Sequence, residues 1–400
     1  MAGGESPHVV VPEGGRATRA EIDLDAVANN VRYFVERAGP RAGVMAVVKA
    51  NAYGHGATMV AREALAAGAR WLAVATVDEG HQLRAARVRA PILVLAPSAP
   101  EEAPAAVRGE LTLAVADLDG AAAVAAAALG APAPVHVEID TGLGRFGVHH
   151  SVAAETIARI AALPGLRLDG LYTHFATADE ADQSFHDRQQ ARFAAILAEL
   201  AARGISPPHV HQDNSAGSLV GPGLHATLIR PGIALYGLSP SDEVPAPAAL
   251  RPVLRLRTRV ARVLALAPGD SVSYGRTFIA ERPMRAVLVP LGYADGYRRA
   301  LSGRGQMLLG GRRAPVLGRV CMDQTVIGVP EGVPVAVGDE VVALGAQGDD
   351  TIGADELAAL AGTIAYEIGT GIGARVPRHY LRGGRTVAIE TLGGLRECAE

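Results

Sequence analysis

Val44-Met-Ala-Val-Val-Lys-Ala-Asn-Ala-Tyr-Gly-His-Gly56 opens as an apolar run and closes as a glycine-punctuated loop, with Lys49 at the junction. The run is β-branched at Val44, Val47 and Val48 and reads as a buried strand. Beyond the loop, Ala57-Thr-Met-Val-Ala-Arg-Glu-Ala-Leu-Ala-Ala67 has a helical pattern, so Lys49 ends the strand of a β/α unit. Such strand ends are where folds of this class gather ligands. Lys49 is also the only lysine among 38 Lys and Arg residues. Arginine keeps a surface soluble as well as lysine does, but it does not give up its proton, whereas a lysine pKa moves with its surroundings. The plainer reading is a lysine snorkelling from a strand end. Its uniqueness favours the other, that position 49 needs a neutral amine, as a Schiff base, a general base or both.

Strand-like runs recur at 44–48, 71–75, 92–96, 111–116, 135–139, 168–175, 209–212 and 226–229, most of them separated by helical patterns. Ala121–Leu129 is helical mainly by alanine propensity, and Phe185–Ala202 is a long amphipathic helix. Eight βα units before residue 240 suit a (β/α)8 TIM barrel. The alternative is an open doubly wound sheet, but no Gly-x-Gly-x-x-Gly follows the first strand, and Gly371-x-Gly373 comes late, among strands. Ahead of the barrel pattern, Arg19–Leu24 is a further strand, free to join the barrel or the domain after it. Asp25 is the expected N-cap of a helix over Ala26–Arg37.

Near residue 240 the texture changes. Ser239-Pro-Ser-Asp-Glu-Val-Pro-Ala-Pro247 has linker composition. Beyond it come β-rich runs at Val260–Ala267, Ser271–Tyr274, Ala286–Val289, Arg319–Val329 and Glu340–Leu344, interrupted by one helix over Ala354–Leu360. The expected architecture is α/β: a barrel over 16–247, then a mostly-β C-terminal domain over 248–390, with tails at 1–15 and 391–400.

Composition narrows the function classes. The 400 residues exceed the length at which a single core stops growing, so two domains are expected. A chain that is 49% hydrophobic with a net charge of −3 is an ordinary soluble globular protein. No basic patch suggests nucleic acid, and no apolar run approaches the roughly 20 residues of a membrane span. The first fifteen residues lack the basic and apolar regions of a signal peptide. Cys321 and Cys398 are the only cysteines and make no disulfide framework, so a reducing cytoplasm is the expected compartment.

Polar residues gather at the strand ends. After Lys49 come Asp140-Thr-Gly-Leu-Gly-Arg-Phe-Gly147 with Arg145, Thr173-His-Phe-Ala-Thr-Ala-Asp179 with His174, His211-Gln-Asp-Asn-Ser-Ala-Gly217, and Arg230-Pro-Gly-Ile233. In a barrel these ends form one rim. An amine, two arginines, a histidine and hydroxyls suit an anionic, carbonyl-bearing ligand, and Asn214-Ser215 with Gly232-Ile233 offers donors for a phosphate. Taken singly, each has a bland reading. His174 could be a satisfied core histidine, Arg145 and Arg230 structural ion-pair members, Tyr274 a hairpin tyrosine. His209 and His211 share a strand face, yet no other ligand clusters with them, so no metal site is expected. Convergence on one rim is what separates the two readings.

These segments, with Val272-Ser-Tyr-Gly275, Gly292-Tyr-Ala-Asp-Gly296, Gly318-Arg-Val-Cys-Met-Asp-Gln324 and Tyr366-Glu-Ile368, resemble the alanine racemase family over about residues 17–385. The resemblance implies a pyridoxal 5'-phosphate (PLP) enzyme interconverting L- and D-alanine, with a barrel, a C-terminal β domain and a head-to-tail homodimer. It implies that Lys49 carries PLP and acts as one base, and that Tyr274 of the other subunit is the opposite base. Tyr53, Ser215, Ile233, Tyr366 and the backbone of Gly232 would hold the phosphate, with Asn214 beside them. Arg145 and the backbone of Met322 would hold the substrate carboxylate, and Arg230 would face the ring nitrogen. His174, hydrogen-bonded onward to Arg230, would supply the positive charge that a tyrosine base needs. His211, Cys321 and Asp323 take supporting places. An amino-acid α-proton is too weakly acidic to leave unaided, so PLP spreads the charge, and two faces of one carbon call for two bases.

The resemblance also discriminates among relatives. Decarboxylases of the same architecture pair the ring nitrogen with a carboxylate, and single-barrel PLP carriers lack the second domain and with it Tyr274 and Met322. D-alanine for peptidoglycan is the role such an enzyme would serve, and serine stays open as a substrate.

One departure from the family concerns Glu138. Many members carry a carbamoylated lysine at this place, before the arginine loop, and this chain has no lysine but Lys49. In Val135-His-Val-Glu-Ile-Asp140, Glu138 and Asp140 lie opposite Val135, Val137 and Ile139, so Glu138 points into the barrel if the valines pack against helices. A buried charge needs pairing, so Glu138 is expected to replace the carbamate and fix Arg145, through a bridging water if its shorter chain falls short.

Overall fold

The computed structural model describes residues 15–398 apart from 129, 221, 222 and 224. The expected amino-terminal tail lies, but for Gly15, outside the described residues, as does Leu129 at the end of the alanine-rich helix. β1 (Arg19–Asp23) does not enter the barrel. It runs parallel to Arg378–Arg382 and antiparallel to Leu254–Arg259, inside the large sheet of the second domain. α1 (Leu24–Ala38) follows, and its cap is Asp23 rather than the expected Asp25. The Asp23 carboxylate accepts from the Ala26 amide at 3.0 Å, whereas Asp25, already inside the first turn, points away to the Gly383 amide at 2.6 Å.

Eight parallel strands form the barrel: β2 (Gly43–Val47), β3 (Trp71–Val74), β4 (Ile92–Val94), β5 (Thr112–Val115), β6 (Ala133–Asp140), β7 (Leu166–Tyr172), β8 (His209–His211) and β9 (Leu228–Ile229). Each pairs with its successor through β8, and β9 pairs with β2. The Thr227 amide donates to the Val210 carbonyl at 2.8 Å across the remaining seam, which nearly closes the ring. Residues of β2 to β5 are buried throughout, because one face meets helices and the other the barrel interior; hence their apolar runs without alternation. β6 differs. Val135, Val137 and Ile139 take one face, His136 and Glu138 the other, and all five are buried. With His211 and Arg230 they give the barrel a polar inner layer beneath the strand ends.

The second domain has a nine-stranded sheet that includes β1, and a three-stranded sheet of Arg262–Leu266, Met284–Val289 and Thr325–Gly328. The run expected over Val260–Ala267 holds the strand Arg262–Leu266, and a further strand, Leu254–Arg259, lies ahead of it. Leu254–Arg259 belongs to the large sheet and Arg262–Leu266 to the small one. Within Arg319–Val329 only Thr325–Gly328 is strand, leaving 319–324 as loop. The expected tail at 391–400 is also corrected: Gly394–Glu397 pairs antiparallel with Arg385–Thr391 through a turn at Leu392 and Gly393. Among the described residues no helix is long and apolar enough to cross a membrane.

Candidate active site

The chain leaves β2 through a turn of unusual hand. Ala50, Asn51, Ala52 and Tyr53 all have φ between 51° and 53°, a complete left-handed turn without a glycine. Each such residue costs about 1–2 kcal/mol, so the surroundings must hold it. Glu79 accepts from the Ala50 amide at 2.6 Å, and the Asn51 side chain accepts from the Ala57 amide at 2.7 Å. His55 lies under the turn, with Nδ1 at 3.0 Å from the carbonyls of Ala52 and Tyr53 and its ring stacked 4.4 Å from Tyr236. Burial pushes His55 down to about 4, so the ring is neutral and Nδ1 carries the donated proton. The turn sets Lys49 and Tyr53 on the wall of one cavity.

That cavity measures about 240 Å³ and is lined by Lys49, Tyr53, Arg145, His174, Asn214, Ser215, Arg230, Gly232, Ile233 and Tyr366, with Asp179 among the rest. One corner is rich in donors. Ser215 Oγ accepts from the Gly232 amide at 2.8 Å and from Ala234 at 3.3 Å. A Cβ on Gly232 would come within 2.6 Å of the Tyr53 hydroxyl, so glycine is what admits that close approach. The Tyr366 ring lies 6.1 Å from the Tyr53 ring, carried there by the helix Ala365–Thr370, which sequence patterning misses. Burial lowers the Lys49 pKa, and Arg145 and Arg230 lower it further against the pull of Glu79.

Arg230 lies in the polar layer below. Only 3% exposed, it forms no ion pair with a described residue. Its Nη1 donates to His211 Nδ1 at 2.8 Å, its Nη2 to the Thr173 carbonyl at 3.0 Å, and Nη2 stands 3.4 Å from His174 Nδ1. A guanidinium only donates, so His211 must hold its proton on Nε2, which in turn donates to His136 Nδ1 at 2.8 Å. Burial, then Arg230, drives His211 well below its ordinary value, while burial, His209 and Arg230 bring His136 to about 3. The Tyr172 ring stacks 4.7 Å from His211 and lies 5.3 Å beneath the Arg230 guanidinium. His136 and Tyr172 are missed by the sequence reading, and only the alternation along β6 could have pointed to the first.

One expectation is corrected here. His174 does not supply positive charge, because burial and then Arg230, Arg145 and Lys49 push it down to about 3; the fixed cation is Arg230. Glu138 points into the barrel, and it makes no direct ion pair with Arg145. Burial lifts its carboxyl to about 7, with the Tyr172 hydroxyl, Arg230 and Arg145 pulling the other way. Its side chain underlies the arginine loop, since a Cβ on Gly147 would stand 3.1 Å from Glu138 Cγ.

Tyr274 and Met322 do not line this cavity. They lie in the second domain, 72% and 52% exposed, on neighbouring loops. Ser273 Oγ donates to the Arg319 carbonyl at 2.6 Å and sits 3.4 Å from Cys321 Sγ, which ties the Tyr274 turn to the Met322 loop. Asp323 pairs with Arg375 at 2.7 Å. Among the described residues no group of three or more His, Cys, Asp or Glu could hold a metal.

Comparison with known proteins bears on this geometry. Residues 22–240 match the family described as "Alanine racemase, N-terminal domain", and 253–380 the one described as "Alanine racemase, C-terminal domain". The chain is 46% identical over 376 residues to the alanine racemase of Symbiobacterium thermophilum, covering 94% of this chain and 99% of that one. To the alanine racemase of Carboxydothermus hydrogenoformans it is 44% identical over 369 residues, covering 92% and 100%. The crystal structure of alanine racemase from Bacillus anthracis with bound L-Ala-P superposes with a TM-score of 0.88 at 41% identity, covering 94% of this chain and 97% of that one. That of the D-cycloserine producer Streptomyces lavendulae gives 0.84 at 40% identity, with 92% and 98% covered.

Proposed function

The chain belongs to the alanine racemase family and is accordingly an amino-acid racemase, and we propose that it interconverts L- and D-alanine with pyridoxal 5'-phosphate in the Lys49 cavity. The observation that carries the reading is a lysine amine with a lowered pKa in one cavity with the Ser215–Gly232–Tyr53 corner. The residues fit the cofactor: an amine able to lose its proton, hydroxyls and amides for a phosphate, and a cation that cannot be discharged beside a ring nitrogen. Bound at Lys49, the cofactor takes up the negative charge left when a substrate carbon loses its proton.

The rest is work for the protein. Tyr53, Ser215, Tyr366 and the backbone of Gly232 and Ile233 hold the phosphate, with Asn214 beside them. Arg145 and the Met322 amide orient the substrate carboxylate. Lys49, as a neutral amine, takes or returns the α-proton on one face, and Tyr274 of the partner subunit does so on the other. Exposure of Tyr274, and its absence from the cavity of its own chain, supports donation between subunits of a homodimer. Arg230, bonded to His211, keeps its proton and would face the ring nitrogen. A cytoplasmic enzyme supplying D-alanine for peptidoglycan is the role that accompanies this chemistry. Borohydride reduction of the holoenzyme followed by peptide mapping tests the attachment: all label should sit on Lys49, and label on any other peptide would overturn the assignment.

A further inference from the structure

We infer that Arg375 is a positioning residue for the substrate carboxylate, because it fixes the Met322–Asp323 turn from which a backbone amide is presented. This rests on the racemase reading above.

The anchor is Asp295, fully buried. Its carboxylate accepts from Arg375 Nε at 2.7 Å, Arg16 Nη1 at 2.6 Å and the Gly292 amide at 3.0 Å. A buried carboxylate bonded on both oxygens is a fixed point, since moving it would strand a charge. From that point the Arg375 fork reaches outward. Nη1 pairs with Asp323 at 2.7 Å, and Nη2 stands 3.4 Å from the Met322 carbonyl. One planar group therefore joins a buried anchor to an exposed turn, a geometry that an ammonium cannot reproduce.

The turn's other contacts decide which way its amide faces. The Tyr293 amide donates to the Cys321 carbonyl and the Ala294 amide to the Met322 carbonyl, each at 3.0 Å. Gly292 backs both carbonyls so closely that any Cβ would collide with them. In a trans peptide the carbonyl and the following N–H point in opposite directions. With the Cys321 carbonyl turned in towards Tyr293, the Met322 N–H is turned out, and among the described residues it has no acceptor. It is an aimed, unused donor.

A merely structural Arg375 does not account for this arrangement. Arg16 already compensates the Asp295 charge, so what Arg375 alone adds is the link to Asp323 and the Met322 carbonyl. Without that link the turn is free to tilt, and misplacement of a donor by even 1 Å weakens binding sharply.

The test uses holoenzyme and two readouts, alanine kinetics in both directions and inhibition by propionate, a carboxylate without the amine. Arg375→Ala should raise KM for both enantiomers and the propionate inhibition constant about tenfold, with kcat changed by less than about threefold. Asp323→Asn should give part of that effect, and the double variant should be no worse than Arg375→Ala. Arg375→Lys, which keeps the charge and loses the fork, should fall between, and it carries the test if the alanine variant does not fold. Arg313→Ala breaks an ion-pair cluster with Asp350 and Glu356 elsewhere in the same domain, so it should lower thermal stability and leave KM and propionate binding alone. Unchanged KM and propionate inhibition in both Arg375 variants, or an equal rise in Arg313→Ala, would overturn the inference. A wild-type protein that does not turn over alanine would instead overturn the functional reading.

Discussion

At position 138 the barrel buries a carboxyl with no ion-pair partner among the described residues, and burial lifts its pKa to about 7 from an ordinary value of 4.5. Between those two values the folded protein binds a proton there that the unfolded chain does not. Stability therefore falls as pH rises from about 4.5 to 7, and above 7 the whole cost is present. Glu138→Gln is neutral throughout. It should stabilise the protein at pH 8 by on the order of 2–3 kcal/mol relative to wild type and give no gain at pH 4. Denaturant unfolding of both proteins across that range checks this, and a pH-independent difference would contradict it. With Lys49 as the only lysine, no carbamate can form elsewhere, so activity should not respond to bicarbonate. Lys49 could be read from sequence because one lysine among arginines is a chemical statement in itself. The partner of Glu138 could not, because alternation tells which way a side chain points and not what stands opposite. His136, brought to His211, and Tyr172, brought beneath Arg230, were hidden for the same reason.

The left-handed turn after β2 and the helix Ala365–Thr370 are one structural unit although more than three hundred residues separate them. Gly54 has φ +84, and a Cβ there would collide with the Gly369 carbonyl, so the turn and the helix that carries Tyr366 touch backbone to backbone. Gly54→Ala meets both a positive φ and an immovable carbonyl, and should cost about 2–4 kcal/mol of stability. It should also weaken PLP binding, because Tyr53 and Tyr366 move apart. Denaturant unfolding and PLP titration of the apoprotein measure the two effects, and near-wild-type values for both would refute the coupling. The barrel strands were legible because buried parallel strands make apolar runs that end in polar loops. The strand Leu254–Arg259 was not, since pairing with the distant β1 is what makes it a strand. Nor was the pairing of β1 with Arg378–Arg382, a contact between the two ends of the sequence.

Across the whole molecule, the chemical groups fall into two sets. Lys49, Arg145 and Arg230 belong to the barrel cavity, while Tyr274 and Met322 stand exposed on the second domain with Tyr293 and Ile279. In a head-to-tail pair each chain would complete the other's site. Mixing inactive Lys49→Ala with inactive Tyr274→Phe should then restore up to roughly a quarter of wild-type activity, because each mixed dimer holds one intact site of two. No rescue despite proven subunit exchange would place Tyr274 in its own chain's site. PLP-loaded enzyme incubated separately with L- and D-alanine, followed by enantiomer composition over time, tests racemisation itself. Both reactions should converge on equal amounts of the two enantiomers without release of carbon dioxide. Failure to interconvert them, or decarboxylation in place of inversion, would contradict the account.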